Sequence, residues 1–179
     1  MELTKENIIF IRTVYNEMRS SMEKFQKERN FVMTNSQLFT FLTYSPAVLA
    51  ISSDGVVDQN EIAVLEKISR SLDVKSTVSL DLAEMMSVAT EPENGMSNEE
   101  FNLRAGAELL YLCRESKIYK SDIIKALKAM LTFDMTPKAE GSMSSSFSAL
   151  MDSMIENGIS KDKEFERKEL AEIKKQLGI

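Results

Sequence analysis

Leu38-Phe39-Thr40-Phe41-Leu42-Thr43-Tyr44-Ser45-Pro46-Ala47-Val48-Leu49-Ala50-Ile51 is the stretch that decides the fold, and no charge occurs from Asn30 to Ser53 around it. Its fourteen residues would span about 21 Å as a helix, short of the ~30 Å hydrocarbon core of a bilayer. Five of them are Thr40, Thr43, Tyr44, Ser45 and Pro46, which suit a protein interior better than lipid. The run therefore predicts a central helix from about Asn35 to Ser53, buried by other helices and bent or restarted at Pro46. A helix that is apolar all round must be covered all round.

The segments on either side supply the cover. Ile8, Ile11, Tyr15, Met18, Met22 and Phe25 recur at three- and four-residue intervals, the period of a helix with one apolar face. Thr4 is its N-cap and Glu6 lies in the first turn. About three heptads are covered, so packing within a bundle is expected, with a homodimer through this helix as the alternative. Further helices are predicted over Asp58–Leu72, Ser76–Ala89, Ser97–Glu115 and Ser121–Phe133. Two more follow over Met143–Glu156 and Lys161–Leu177, after a linker from Thr136 to Ser146. The inward positions read as Phe147, Leu150, Met151, Met154 and Ile155 on the first of these. On the second they read as Phe165, Leu170, Ile173 and Leu177. No window alternates with period two, so the fold class is all-α: one domain over residues 1–179, a compact bundle of seven or eight helices.

Composition excludes several chemistries. The 179 residues contain no histidine and a single cysteine, Cys113. Ser-His and Cys-His nucleophile pairs and His-ligated zinc are out, and no internal disulfide can form. An enzyme would have to rest on carboxylates alone, and no spacing selects a catalytic pair, so a non-enzymatic role is expected. The net charge of −6 argues against nucleic acid. From Asp81 to Glu115 eight acidic residues face only Arg104 and Arg114. Met1-Glu2-Leu3-Thr4-Lys5-Glu6 does not read as a secretory leader, and with the lone cysteine it points to the cytoplasm.

Three connectors repeat a pattern: Asp54-Gly55-Val56-Val57-Asp58, Asn94-Gly95-Met96-Ser97 and Asn157-Gly158-Ile159-Ser160. In each the glycine is expected to end a helix in the left-handed conformation. The next apolar residue should pack back, and a capping residue opens the next helix. Leu49–Ile68 and Asp152–Lys174 both place a glutamate, Glu61 or Glu164, six residues after the glycine, which suggests an internal duplication of helical hairpins. The first copy carries the site-like chemistry. Asp54, Asp58 and Glu61 set three carboxylates round a sharp turn. Laid on a calcium EF-hand loop, Gly55 takes the sixth place and Glu61 the twelfth, but Ala50 and Ser52 stand where the leading ligands belong. Capping accounts for the same residues without an ion. Asp58 caps the next helix, Glu61 completes a capping box, and Asp54 stabilises the turn before glycine.

The run Leu42–Leu65, with its apolar helix followed by Ser53-Asp54-Gly55, Val56 and Glu61, resembles the tellurite-resistance TerB family, whose motif has alanine where Ser53 stands. The resemblance implies two pseudo-symmetric helical halves and a cytoplasmic, often membrane-associated, non-enzymatic role in metal-oxyanion or envelope stress. It also implies acidic residues for a divalent cation such as calcium, which map here to Asp54, Asp58 and Glu61, and a protein partner is expected for a binding module of this kind. In the second copy Asn157 and Lys161 replace acidic positions.

Two other residues have alternative readings. Glu108 is either a buried carboxylate with ligand or acid chemistry, or an i−4 partner of Arg104 at the helix surface. Cys113 reads as a small buried hydrophobe and the twelve methionines mainly as core filling.

Overall fold

The computed structural model describes residues 2–134, 142–156 and 163–179. Ten helices make up these residues, and no strand occurs among them: α1 (Lys5–Ser21), α2 (Glu23–Arg29), α3 (Asn35–Ile51), α4 (Gln59–Ser69), α5 (Val74–Thr77), α6 (Leu80–Ser87), α7 (Asn98–Arg114), α8 (Ser116–Leu131), α9 (Met143–Glu156) and α10 (Lys163–Leu177). The Asn157–Ser160 connector, the Thr136–Gly141 part of the linker, the Lys161 helix start and the Ile155 side chain lie outside the described residues.

The uncharged run is the centre, as its composition requires. Fourteen of the 17 residues of α3 are buried. Helices α9, α7 and α8 pack against it, α1 lies along α8, α4 along α7, and α10 touches α8, α9 and α3. Pro46 sits inside α3 without ending it. Phe41 of α3 forms one aromatic group with Phe25 and Phe31, joined by Tyr119 and Phe101, with ring centroids 5.5–6.3 Å apart. Thr34 starts α3 with a capping box: its side chain accepts from the Gln37 N–H and the Gln37 side chain accepts from the Thr34 N–H.

Ten helices stand where seven or eight were expected, for local reasons. Met22 leaves helical dihedrals (φ −95°, ψ 4°) and splits the first segment into α1 and α2. Val78 is extended, and Ser79 then caps a new helix by accepting from the Leu82 N–H, which divides the fourth segment into α5 and α6. Helix α8 begins at Ser116, five residues before its expected start at Ser121, with only Glu115 separating it from α7. On α10 the inward register is Glu166, Leu170, Ile173 and Leu177, so Phe165, expected inside, is 46% exposed and Glu166 is 3% exposed. Glu164, the expected counterpart of Glu61, faces solvent and pairs with Lys168. The hairpin duplication therefore does not extend to this carboxylate.

The apolar face of α1 is buried within its own chain: Ile11 and Met18 are fully buried, as is Met22 just beyond it. Replacing Met18 by glutamate puts an unpaired charge in that core. Met18→Glu should lower stability by several kcal/mol in urea unfolding. Wild-type stability in the variant would contradict this packing.

Candidate functional site

The Ser52–Glu61 connector is built almost wholly from local hydrogen bonds. Helix α3 ends with the Ser52 N–H donating to the Val48 carbonyl (3.0 Å) and the Ser52 hydroxyl donating to the same oxygen (2.7 Å). Gly55 follows at φ +78°, the left-handed region, with its N–H donating to Ser52 O at 3.0 Å. A Cβ there would meet only the Lys117 side chain at an ordinary 3.5 Å, so backbone conformation rather than crowding selects glycine. Asp54 Oδ1 accepts from the Val56 N–H (2.8 Å), closing an Asx turn. Asp58 Oδ1 accepts from the Glu61 N–H (2.9 Å) while Glu61 Oε2 accepts from the Asp58 N–H (2.8 Å). This is the capping box expected from the residue types.

Two details differ from expectation. Val56, expected to pack back, is 65% exposed, and its neighbour Val57 packs against the core instead. Gly95, in the second connector, lacks a positive φ. Its missing side chain serves close packing, because a Cβ would lie 2.9 Å from Thr34 Cγ2 and 3.3 Å from Pro92 Cγ. That connector docks on the start of α3, where Gln37 Nε2 donates to Met96 O and Asn98 Oδ1, both at 2.9 Å.

Glu61 is the unusual member of the first connector. It is 3% exposed. Burial pushes its carboxyl up to about 7, the charges of Asp58, Asp54 and Glu166 push in the same direction, and the Asp58 N–H opposes them. Across the α4–α7 contact, Cys113 is fully buried, and burial with Glu61 nearby raises its thiol to about 12. It is inert at neutral pH.

The three carboxylates expected to hold a cation are brought to one turn, but not as a ready cage. Each gives one oxygen to a backbone N–H, and among the described residues no group of three or more Asp, Glu or Cys side chains is arranged to hold a metal ion. The geometry fits capping better than coordination.

Glu108 combines both of its readings. It is 5% exposed and pairs with Arg104 (3.4 Å) on its own helix, but also with Arg29 of α2 at 2.8 Å. Arg29 stacks over the Tyr111 ring, 3.8 Å from its centroid, and Arg104 donates to the Arg29 and Asn30 carbonyls. The cluster fixes α2 to α7. Spacing along one helix revealed Arg104; nothing local could reveal Arg29, 79 residues away.

Because Glu61 binds its proton more tightly folded than unfolded, its contribution to stability is full below its ordinary 4.5 and is lost as pH rises through about 7. Its loss is on the order of 2–3 kcal/mol. Glu61→Gln keeps an acceptor for the Asp58 N–H and removes the charge. Chemical denaturation from pH 4.5 to pH 8 should show this part of the pH slope vanish in the variant, which should be the more stable protein at pH 8. An unchanged slope would remove Glu61 as its source.

Comparisons with protein-family models, with curated proteins and with solved structures find no match to this chain.

Proposed function

We propose that the protein is a non-enzymatic, TerB-like binding module: a helical scaffold that presents the Asp54–Glu61 end of its central hairpin to a protein partner. The observation that carries this reading is the connector. A left-handed Gly55 follows the apolar helix, and a capping box opens the next one, in the order the resemblance requires. The same turn holds Val56 outward; the Lys117 side chain lies against Gly55, and Ile118, the next residue in the chain, is 49% exposed. Exposed apolar side chains on a rigid, polar-rimmed turn are what a protein partner buries. The resemblance places such a module in the cytoplasm, in the response to metal-oxyanion or envelope stress, with membrane association through its partners.

A second reading adds a divalent cation such as calcium on Asp54, Asp58 and Glu61. One observation favours it: a buried carboxylate stands among like charges that a cation would relieve. It requires those carboxylates to share or leave their backbone bonds.

Thermal melts separate the two. The ion-free module predicts that millimolar calcium, magnesium or manganese leaves the wild-type transition unmoved. Val56→Asp should stay within about 0.5 kcal/mol of wild type while losing any co-purifying partner. The cation reading predicts a stabilisation that Glu61→Gln abolishes, roughly 2.7 kcal/mol at ~100 Kd of ion. A cation-dependent shift that Glu61→Gln abolishes would overturn the ion-free form.

A further inference from the structure

A cleft of about 440 Å³ opens between the α1–α2 segment and the loop leading to α7, on residues that the hairpin connector does not use. Arg19 and Gln26 line it together with Asn16 and Asn94, and Val32 and Pro92 give it an apolar wall. Its volume is that of a small-ligand site.

Arg19 and Lys27 are the cationic donors of this lining, and Asn16, Ser20, Gln26 and Asn94 can also donate. Arg19 is half-buried, and it donates from Nη1 to Met33 O at 2.8 Å and from Nη2 to Asn35 Oδ1. Both acceptors are neutral. Among the described residues no carboxylate forms an ion pair with this guanidinium, whereas Arg29 and Arg167 each have one and Arg104 has two. Glu91, the nearest negative influence on it, gives its Oε2 to the Asn35 N–H instead. Burial holds Arg19 below its ordinary range, with Glu91 and Tyr15 opposing. A desolvated guanidinium with unspent N–H donors attracts an anion that can accept two bonds side by side. Gln26, 5% exposed, accepts from the Met33 N–H through Oε1 (2.9 Å), which leaves its NH₂ end for the cleft it lines. At the rim Glu23 is neutralised by Lys27, at 2.5 Å.

We infer that this cleft is a binding site for a carboxylate carried on a short apolar body, with Arg19 and the Gln26 amide holding the carboxylate and Val32 and Pro92 covering the apolar part. A short-chain organic acid and the C-terminus of a partner chain share that chemistry. The site is independent of the Asp54–Glu61 turn, so its fate does not decide the reading above.

The test is a ¹⁵N-resolved NMR titration of the full chain with sodium butyrate and with the tripeptide Ala-Ala-Val. The tripeptide amide and sodium chloride at equal ionic strength serve as controls. The expected result is saturable shifts at Arg19, Gln26, Val32 and Asn94 with the carboxylates and none with the controls. Saturation by butyrate alone assigns a small acid, and saturation by the tripeptide alone assigns a chain terminus. Arg19→Gln should weaken binding by about tenfold or more, the share expected of hydrogen bonds to a charged group. Should that variant lose its fold, Val32→Phe decides: it fills the cleft from a half-buried position and should abolish binding at an unchanged melting temperature. Absence of saturation, equal shifts with the amide or chloride, or wild-type affinity in folded Val32→Phe would overturn the inference.

Discussion

An uncharged helix of 17 residues, buried on every side, is the constraint on which the rest of the structure depends. Hydrophobic burial of such a segment is favourable only if other apolar faces reach all of its surface. Three other helices therefore do most of the covering: α7, α8 and α9 pack against it, α4, α5 and α10 add smaller contacts, and α1 lies along α8. Three hydroxyls within α3 are accommodated by its own backbone. Thr40, Thr43 and Ser45 donate to the carbonyls four residues back, at 2.8, 2.8 and 3.2 Å. Its ends are handled by side chains, with Thr34 and Gln37 at the start and Ser52 at the finish. The Asp54–Glu61 connector is thus first a consequence of this helix. A buried helix needs a decisive stop, and a left-handed glycine followed by a capping box supplies one.

Charges inside the bundle follow two different solutions. Glu108 is fixed by two arginines, one of which is stacked on an aromatic ring, and the resulting network ties α2 to α7. Breaking such a group by removing one partner strands the others, so it specifies how the two helices meet more than it stabilises them. Glu61 is instead compensated by a single backbone N–H and surrounded by Asp54, Asp58 and Glu166. The same residue type is paired with cations in one place, while in the other burial and like charges raise its affinity for a proton. That difference makes the hairpin end the chemically responsive part of the fold.

The all-α class, the central helix and the capped turn were legible in the sequence because each depends on residues close together in the chain. The Asn30–Ser53 run lacks charge, Asp58 and Glu61 are three apart, and glycine after Asp54 marks the left-handed stop. Features set by distant packing were not legible. Arg29 reaches Glu108 only because α2 folds back along α7. The register of α10, Glu166 with Leu170, Ile173 and Leu177, is carried by local spacing, yet it buries a carboxylate in place of Phe165, against the preference of both residue types. Gly95 has the turn spacing of a conformational glycine, yet its role is close approach to Thr34 and Pro92, and no local pattern encodes the Thr34 contact. The Arg19 cleft has no local signature for a similar reason: its walls come from three separate stretches of chain.

Native-state amide hydrogen exchange tests the central claim most directly. If the whole fold is organised around α3, the amides of Leu42 to Ile51 exchange only through global unfolding, at the free energy measured by denaturation, while those of α5, α6 and α10 exchange through smaller local openings. Exchange of the α3 amides at a lower free energy than those of α10 would contradict the account.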